Sequence, residues 1–201
     1  MATSQSMALR APFDSIDRVE ITSAEELRSW LRSNHQREEG IALVTFKKHV
    51  RQKYVSTDEV LDELLCFGWI DGARCKLDDD RTMQLISPRR TQHWSKTYKD
   101  RVQRLEGEGR MEQPGRAAVA DAKRSGLWTF MDDVDALVVP HDLARALEAY
   151  PGASEHFSRA APSYRRNVLR WIKLAKTAAT RRKRIEKSVA YAERNERLPQ
   201  M

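Results

Sequence analysis

Cysteine, glycine and proline are scarce in this sequence, and each shortage excludes a class of protein. The two cysteines, Cys66 and Cys75, lie nine positions apart without a CxxC motif or a nearby histidine, which excludes a disulfide scaffold and a zinc site. Only 8 Gly and 7 Pro occur in 201 residues, without a repeat, which excludes collagen-like and low-complexity chains. Since 40% of the residues are hydrophobic, we expect a folded core.

Several sequence signals of localisation and catalysis are also missing. No run of about 18 apolar residues is present, so no membrane-spanning helix is expected. The opening MATSQSMALRAPFDS lacks the apolar stretch of a secretory signal, and we expect a cytoplasmic protein. Without a Walker loop, GxGxxG or HExxH, the sequence gives no reason to expect nucleotide hydrolysis, a Rossmann dehydrogenase, a cofactor or a metal.

Hydrophobic periodicity predicts an α+β fold, with a small mixed or antiparallel sheet from the N-terminal half covered by helices and an all-helical C-terminal region. A capping-box pattern at Thr22 to Glu26 begins a helix that ends near Asn34. A second helix starts at Ser56 and stops at Gly68. The predicted strands are 41–46, 73–77 and 82–87, and further helices are expected at 97–109, 114–125, 141–149, 162–176 and 178–195.

Composition divides the chain into a leader at 1–18, an α+β core domain at 19–125, a linker at 126–140 and a basic helical region at 141–197. Residues 159–201 contain 13 Lys and Arg against 3 Glu, a balance of +10, whereas residues 1–158 have a balance of −3. The positive charge therefore belongs to the C-terminal end. Such asymmetry permits contact with nucleic acid or other anions.

Several spaced motifs, in this order, resemble one protein family, the YdeI/OmpD-associated or bacteriocin-protection family. The similarity extends over about residues 20–197 and implies tolerance of antimicrobial peptides or an envelope partner, with no particular reaction. The motifs are Cys66-Phe67-Gly68-Trp69-Ile70-Asp71-Gly72, Leu77-Asp78-Asp79, Ser87-Pro88-Arg89-Arg90 with Trp94-Ser95, Gly109-Arg110-Met111 with Pro114-Gly115, and Trp171-Ile172 with Ala175-Lys176 and Thr180-Arg181.

A cleft built from tryptophan, arginine and aspartate is the candidate site of the N-terminal half. Asp71 is the candidate general acid or base, because the neighbouring Trp69 is apolar and would raise its pKa. Arginine forks bind carboxylate or phosphate and stack on aromatic rings. The alternatives are structural: Trp69 fills the core, Asp71 bonds turn amides, or an arginine pairs with Asp71 or Asp78. The candidate ligand-binding residues are Trp69, Arg74, Arg89, Arg90, His93 and Trp94.

Basic side chains follow one arc of the helix at 162–176 and continue into the next helix. Their density suggests an anionic partner such as nucleic acid, whereas a solvated helical surface is the simpler interpretation. No motif for reading bases accompanies them. The candidate anion contacts are Arg165, Arg166, Arg170, Lys173, Lys176 and Arg181.

Three functions remain open at this point. The first is a stress-tolerance protein that binds a small anionic or aromatic molecule in the Trp/Arg/Asp cleft. The second is a metal-independent enzyme that uses the same cleft, with Asp71 as acid or base and Arg90 holding an anionic substrate. The third is a module that binds nucleic acid or a protein through the basic C-terminal helices.

Overall fold

The computed structural model describes Phe13 and residues 15–199, and the chain divides into two units, residues 1–128 and 129–201. The predicted leader, 1–18, lies mostly outside the described residues. Of that segment, Phe13 is fully buried and Arg18 begins a strand.

A four-stranded mixed sheet forms the centre of the N-terminal unit. Its strands are β1 (Arg18–Glu20), β2 (Ile41–Phe46), β3 (Trp69–Lys76) and β4 (Arg81–Pro88), in the order β1-β2-β4-β3. β1 runs parallel to β2, and the other neighbouring pairs are antiparallel. The predicted α+β class is therefore confirmed.

Four helices accompany the sheet: α1 (Ala24–Asn34), α2 (Thr57–Cys66), α3 (Lys96–Gly107) and α4 (Gln113–Arg124). α1 begins where the Ser23 side chain accepts a hydrogen bond from the Glu26 amide. α2 begins with a complete capping box between Ser56 and Glu59. Both helix starts match the positions that the sequence predicts.

Alternation along the strands assigns the two faces of the sheet. Leu43 and Ile86 belong to the main core cluster with residues of the helices, whereas Val44 and Met83 face the opposite side and pack with Phe13. A register irregularity between Asp71 and Arg74 interrupts the pairing of β3 with β4.

The C-terminal unit has its own hydrophobic core, in which Leu143, Phe157, Val168 and Ile172 are buried. The predicted linker, 126–140, contains a short helix and the buried side chain of Met131. The sequence pattern predicts no helix at residues 151–159, although a proline at the start of a helix is a common signal. The helices are α5 (Asp132–Asp135), α6 (His141–Glu148), α7 (Pro151–Arg159), α8 (Pro162–Lys173) and α9 (Ala178–Glu193).

Candidate functional site

Polar side chains of the N-terminal unit gather where β3 and β4 meet α3. Asp71 is paired with Ile86 across the two strands, and Gln84 lies two residues before Ile86, so both polar residues occupy the helix-covered face. Arg89 follows the end of β4, and Tyr98 lies in the first turn of α3. We call Asp71, Gln84, Arg89, Trp94 and Tyr98 the Arg89 cluster.

The guanidinium of Arg89 lies between two aromatic rings. Its Cζ is 3.9 Å from the centre of the Trp94 ring and 5.0 Å from that of Tyr98. Its Nη1 donates long hydrogen bonds of 3.4 and 3.3 Å to the carbonyl oxygens of Gln92 and His93. Its Nε and Nη2 are buried without a hydrogen-bond partner. Two donors on one edge of a cation are thus left unsatisfied.

A short hydrogen-bond chain holds the carboxylate of Asp71 beside this cation. Tyr98 donates its hydroxyl to Asp71 Oδ1, and Gln84 Nε2 donates to Asp71 Oδ2 at 3.2 Å. On the other side of Gln84, its Oε1 accepts a hydrogen bond from Arg74. The partners of Asp71 are therefore side chains, whereas the sequence suggested turn amides as its structural alternative.

The environment shifts two pKa values in this cluster. Burial lowers the pKa of Arg89 to about 10, and the interactions with Tyr98 and Asp71 oppose this shift only in part. Burial, followed by the hydrogen bond to Asp71, raises the pKa of Tyr98 to about 12. At neutral pH Arg89 is therefore a cation and Tyr98 a neutral donor.

The structure separates the other predicted cleft residues. Trp69 is only 1% exposed, and its Nε1 donates to the His35 carbonyl at 3.3 Å, so it packs in the core and does not line a cleft. Arg90 is exposed and donates to the Glu38 carbonyl at 2.9 Å. The arginine beside Asp71 is Arg89.

Trp94 and His93 contribute to the site in different ways. Trp94 is 1% exposed and forms the floor beneath the Arg89 guanidinium. His93 is half-buried and offers its backbone carbonyl to Arg89. Ser95, the residue after Trp94, is the N-cap of α3.

Two members of the Arg89 cluster are not among the residues that the sequence pattern singles out. Gln84 is a polar residue at an inward-facing position of β4, and this exception to the alternation is visible in the sequence. Tyr98 gives no such signal, because its approach to Asp71 depends on how α3 packs against the sheet.

Within the part of the chain that the structure describes, no group of three His, Cys, Asp or Glu could hold a metal ion. None of the helices described is both long and apolar enough to cross a membrane.

Two family models match separate parts of the chain. Residues 19–118 match a domain of unknown function, DUF8412. Residues 136–195 match the family described as bacteriocin-protection, YdeI or OmpD-associated. This second match is to the same family that the sequence motifs resemble. The matched range is shorter than the span of about residues 20–197 that the motifs suggested. Searches of curated proteins and of solved structures gave no match.

Residues 136–195, which match this family model, contain all six of the predicted anion contacts, and several of these contacts are engaged within their own unit. Lys173 pairs with Asp133 at 2.6 Å, and Arg181 forms two hydrogen bonds to the Asp142 carboxylate, at 2.7 and 2.9 Å. Arg165 lies over the Phe157 ring, 5.6 Å from its centre. The contacts of these three residues therefore lie within the helical unit. The others on this surface are Arg166, Arg170 and Lys176, of which Arg170 and Lys176 are exposed.

Proposed function

We propose that the protein binds a small anion with a planar carboxylate group at Arg89. The proposal rests on one observation, the unpartnered Nε and Nη2 of this buried guanidinium. These two N–H groups lie on the same edge of the guanidinium and point in parallel. They form the fork that donates hydrogen bonds to both oxygens of one carboxylate.

An unpaired buried donor is costly, which argues that Arg89 is kept for a purpose other than stability. A buried polar group without a partner costs about 1–3 kcal/mol. Natural proteins leave few such groups, and those that remain often serve function. A carboxylate would supply both missing acceptors and neutralise the charge.

The surroundings of Arg89 favour one kind of anion. Trp94 and Tyr98 flank the guanidinium with apolar ring surface, which suits a flat or aromatic acid. The negative Asp71 interacts with Arg89 and would repel a doubly charged ligand more than a singly charged one. A monocarboxylate therefore fits better than a phosphate.

Access requires a local movement, because Nε and Nη2 are covered by protein atoms. Residues 90–95 connect β4 to α3 without helix or strand, and such connections move more readily than the elements they join. We propose that this connection shifts when the anion binds.

Thermal unfolding in the presence of three probes tests the proposal. Benzoate should raise the melting temperature, with acetate weaker and inorganic phosphate weakest, because binding to the folded state alone stabilises it. The effect of benzoate should disappear in Arg89→Met and persist in Arg90→Met, the matched control at the exposed neighbour.

A second variant keeps the test decisive if Arg89→Met does not fold. Arg89→Lys retains the positive charge but loses the planar fork, so benzoate affinity should fall about tenfold or more. Stabilisation that survives both Arg89 variants, or the absence of stabilisation by any probe in the unmodified protein, would overturn the proposal.

The biological setting is also a proposal. The family match at residues 136–195 supports a role in protection against bacteriocin-type antimicrobial peptides. We propose a cytoplasmic location, supported by Cys66, a buried thiol whose pKa burial raises, since unoxidised thiols are typical of reducing compartments. Cell fractionation followed by immunodetection checks this, and recovery in an envelope fraction would contradict it.

The enzyme hypothesis has less support from the same geometry. Asp71 would have to give or take a proton, and both of its oxygens already accept hydrogen bonds, from Tyr98 and Gln84. A proton-transfer role would therefore require that one of these bonds opens.

A further inference from the structure

A second site lies on the loop between β2 and α2, in a position that the anion-binding proposal does not involve. An open depression of about 810 Å³ is lined by Lys47, Lys48, His49, Arg51 and Tyr54. No carboxylate contributes to this lining. The segment KKHVRQKY combines basic and aromatic residues, although no sequence motif marks it as a site.

Backbone hydrogen bonds fix the shape of this loop. Phe46 and Tyr54 form a parallel β-bridge that closes it, and the Lys47 amide donates to the Asp80 carbonyl at 2.7 Å. Within the loop, the amide of Val50 donates to the carbonyl of Lys47 at 2.9 Å, and the amide of Lys53 to that of Val50 at 3.0 Å. The loop is therefore organised before any ligand arrives, which lowers the entropic cost of binding.

The basic side chains of the depression differ in whether they already form hydrogen bonds or ion pairs within the protein. Lys47 Nζ donates to the carbonyls of Asp78 and Asp79 at 2.7 and 2.8 Å, and His49 Nε2 lies 2.9 Å from Asp80 Oδ1. Lys48 and Arg51 are exposed, and within the described residues neither forms an ion pair. Two side chains thus present positive charge directly to solvent.

Tyr54 adds a different kind of contact. It is a large aromatic residue that remains 39% exposed beside these cations. An exposed ring stacks with a planar heterocycle, and such stacking does not depend on base identity. Lysine and arginine next to the ring bind phosphate oxygens.

We propose that this depression binds a nucleotide unit, with its phosphate at Lys48 and Arg51 and its base on Tyr54. The same unit occurs in a free nucleotide and in single-stranded nucleic acid, and the test separates the two sources. A duplex is a poorer ligand, because its bases are already stacked on one another.

The first experiment measures fluorescence anisotropy of a labelled oligothymidylate single strand, at about 50 mM and about 200 mM salt. Binding should be weaker at the higher salt, and a matched duplex should bind less well than the single strand. Competition with thymidine monophosphate then distinguishes the two ligands. If the mononucleotide displaces the labelled strand at a comparable concentration, the ligand is a free nucleotide, and if it does not, the ligand is a single strand.

Variants distinguish a built site from general charge attraction. The double variant Lys48→Gln/Arg51→Gln should weaken binding roughly tenfold or more. Tyr54→Leu should weaken it by roughly fivefold or more through lost stacking, without changing the net charge. The control is Arg182→Gln/Lys183→Gln, which removes the same charge from exposed positions of α9 and should have little effect.

Three results would overturn the proposal. One is the absence of binding by both the strand and the mononucleotide. Another is an equal loss in the α9 control, which would assign the affinity to net charge. The third is that Tyr54→Leu keeps its full affinity and that duplex and single strand bind equally well. This result would show that no base stacks on Tyr54.

Discussion

At the scale of single residues, the functional assignment depends on which of two adjacent arginines faces inward. Both Arg89 and Arg90 are candidate ligand-binding residues in the sequence, where the enzyme hypothesis assigns the anionic substrate to Arg90. In the structure Arg89 stacks on Trp94 near Asp71, whereas Arg90 bonds a surface carbonyl. The direction in which the chain leaves β4 decides this, and no local pattern in the sequence reports that direction.

Replacing Arg89 should stabilise the protein when no anion is present. Arg89→Met removes two unsatisfied buried donors but also loses the contacts with the Trp94 and Tyr98 rings and the long Nη1 hydrogen bonds, so the free energy of unfolding should rise by no more than about 1 kcal/mol. Urea denaturation measures this. Arg90→Met, the exposed control, should change it by less than about 0.5 kcal/mol. A loss of stability in Arg89→Met would indicate that the guanidinium is structural.

Tyr98 should titrate later than an ordinary tyrosine. Its pKa is raised to about 12 from the usual 10, so its contribution to stability is complete below pH 10 and is lost between pH 10 and 12. Arg89 acts oppositely: its lowered pKa of about 10 means that its burial penalty is relieved above pH 10. Phenolate absorbance of the parent protein minus that of Tyr98→Phe should show a midpoint near 12. A difference midpoint near 10 would contradict the burial of the Tyr98 hydroxyl and its hydrogen bond to Asp71.

At the scale of elements, arginines from distant parts of the chain hold α2 through its two buried carboxylates. Asp62 accepts hydrogen bonds from Arg101 and Arg104 of α3, while Glu63 pairs with Arg28 of α1 at 2.8 Å. The sequence pattern predicts the apolar stripe of α2 and gives no sign that these acids are buried. The burial of Asp62 and Glu63 can be recognised only when their arginine partners are known. These arginines lie more than 30 residues away in the sequence.

Asp62→Asn should cost about 2–4 kcal/mol, because it breaks a buried ion pair from one side. Burial raises the pKa of Asp62, but the Arg104 and Arg101 hydrogen bonds outweigh that effect and lower it below its usual 3.8. The stabilisation is therefore present above about pH 4 and is lost as the pH falls further. Asp58→Asn, at an exposed partner of Arg101, should cost less than about 1 kcal/mol in chemical denaturation. Equal losses would show that burial of Asp62 is unimportant.

The packing of α4 against the end of α2 depends on one glycine. A Cβ at Gly115 would lie 2.3 Å from the Cys66 carbonyl oxygen, so Gly115→Ala must push the two helices apart. We expect a loss of about 1–3 kcal/mol in thermal or urea unfolding. A Cβ at Gly107, the last residue of α3, would meet no atom of the described residues within 4 Å, so Gly107→Ala should be neutral or stabilising. A tolerated Gly115→Ala would contradict this close approach.

At the scale of the whole molecule, local patterns predicted the elements better than their arrangement. The strand Ile41–Phe46 and the capped starts of α1 and α2 agree with the sequence, because short-range signals determine them. The sequence pattern does not predict β1, because three residues are too few to show an alternation. The strand is defined by its pairing with residues 42–44. The sheet order and the position of Tyr98 depend on long-range packing for the same reason.

For the candidate site as well, the sequence predicted the local features but not the long-range packing. Sequence reasoning supplied Arg89, Trp94 and Asp71, because guanidinium, indole and carboxylate groups close together in a loop suggest ligand chemistry. It could not foresee that Trp69 is enclosed by the core, or that Tyr98 and Gln84 complete the cluster. The sequence therefore indicated which chemical groups the site contains, but not which of their side chains meet in the fold.

Our central proposal is that the Nε–H and Nη2–H groups of Arg89 donate hydrogen bonds to the two oxygens of a carboxylate. Heteronuclear NMR of the arginine Nε–H groups tests it most directly, with the Arg89 signal assigned by its absence from Arg89→Lys. During a benzoate titration the Arg89 signal should shift and saturate while the Arg90 signal stays in place. An Arg89 signal that does not move at benzoate concentrations that raise the melting temperature would place the anion elsewhere and contradict the claim.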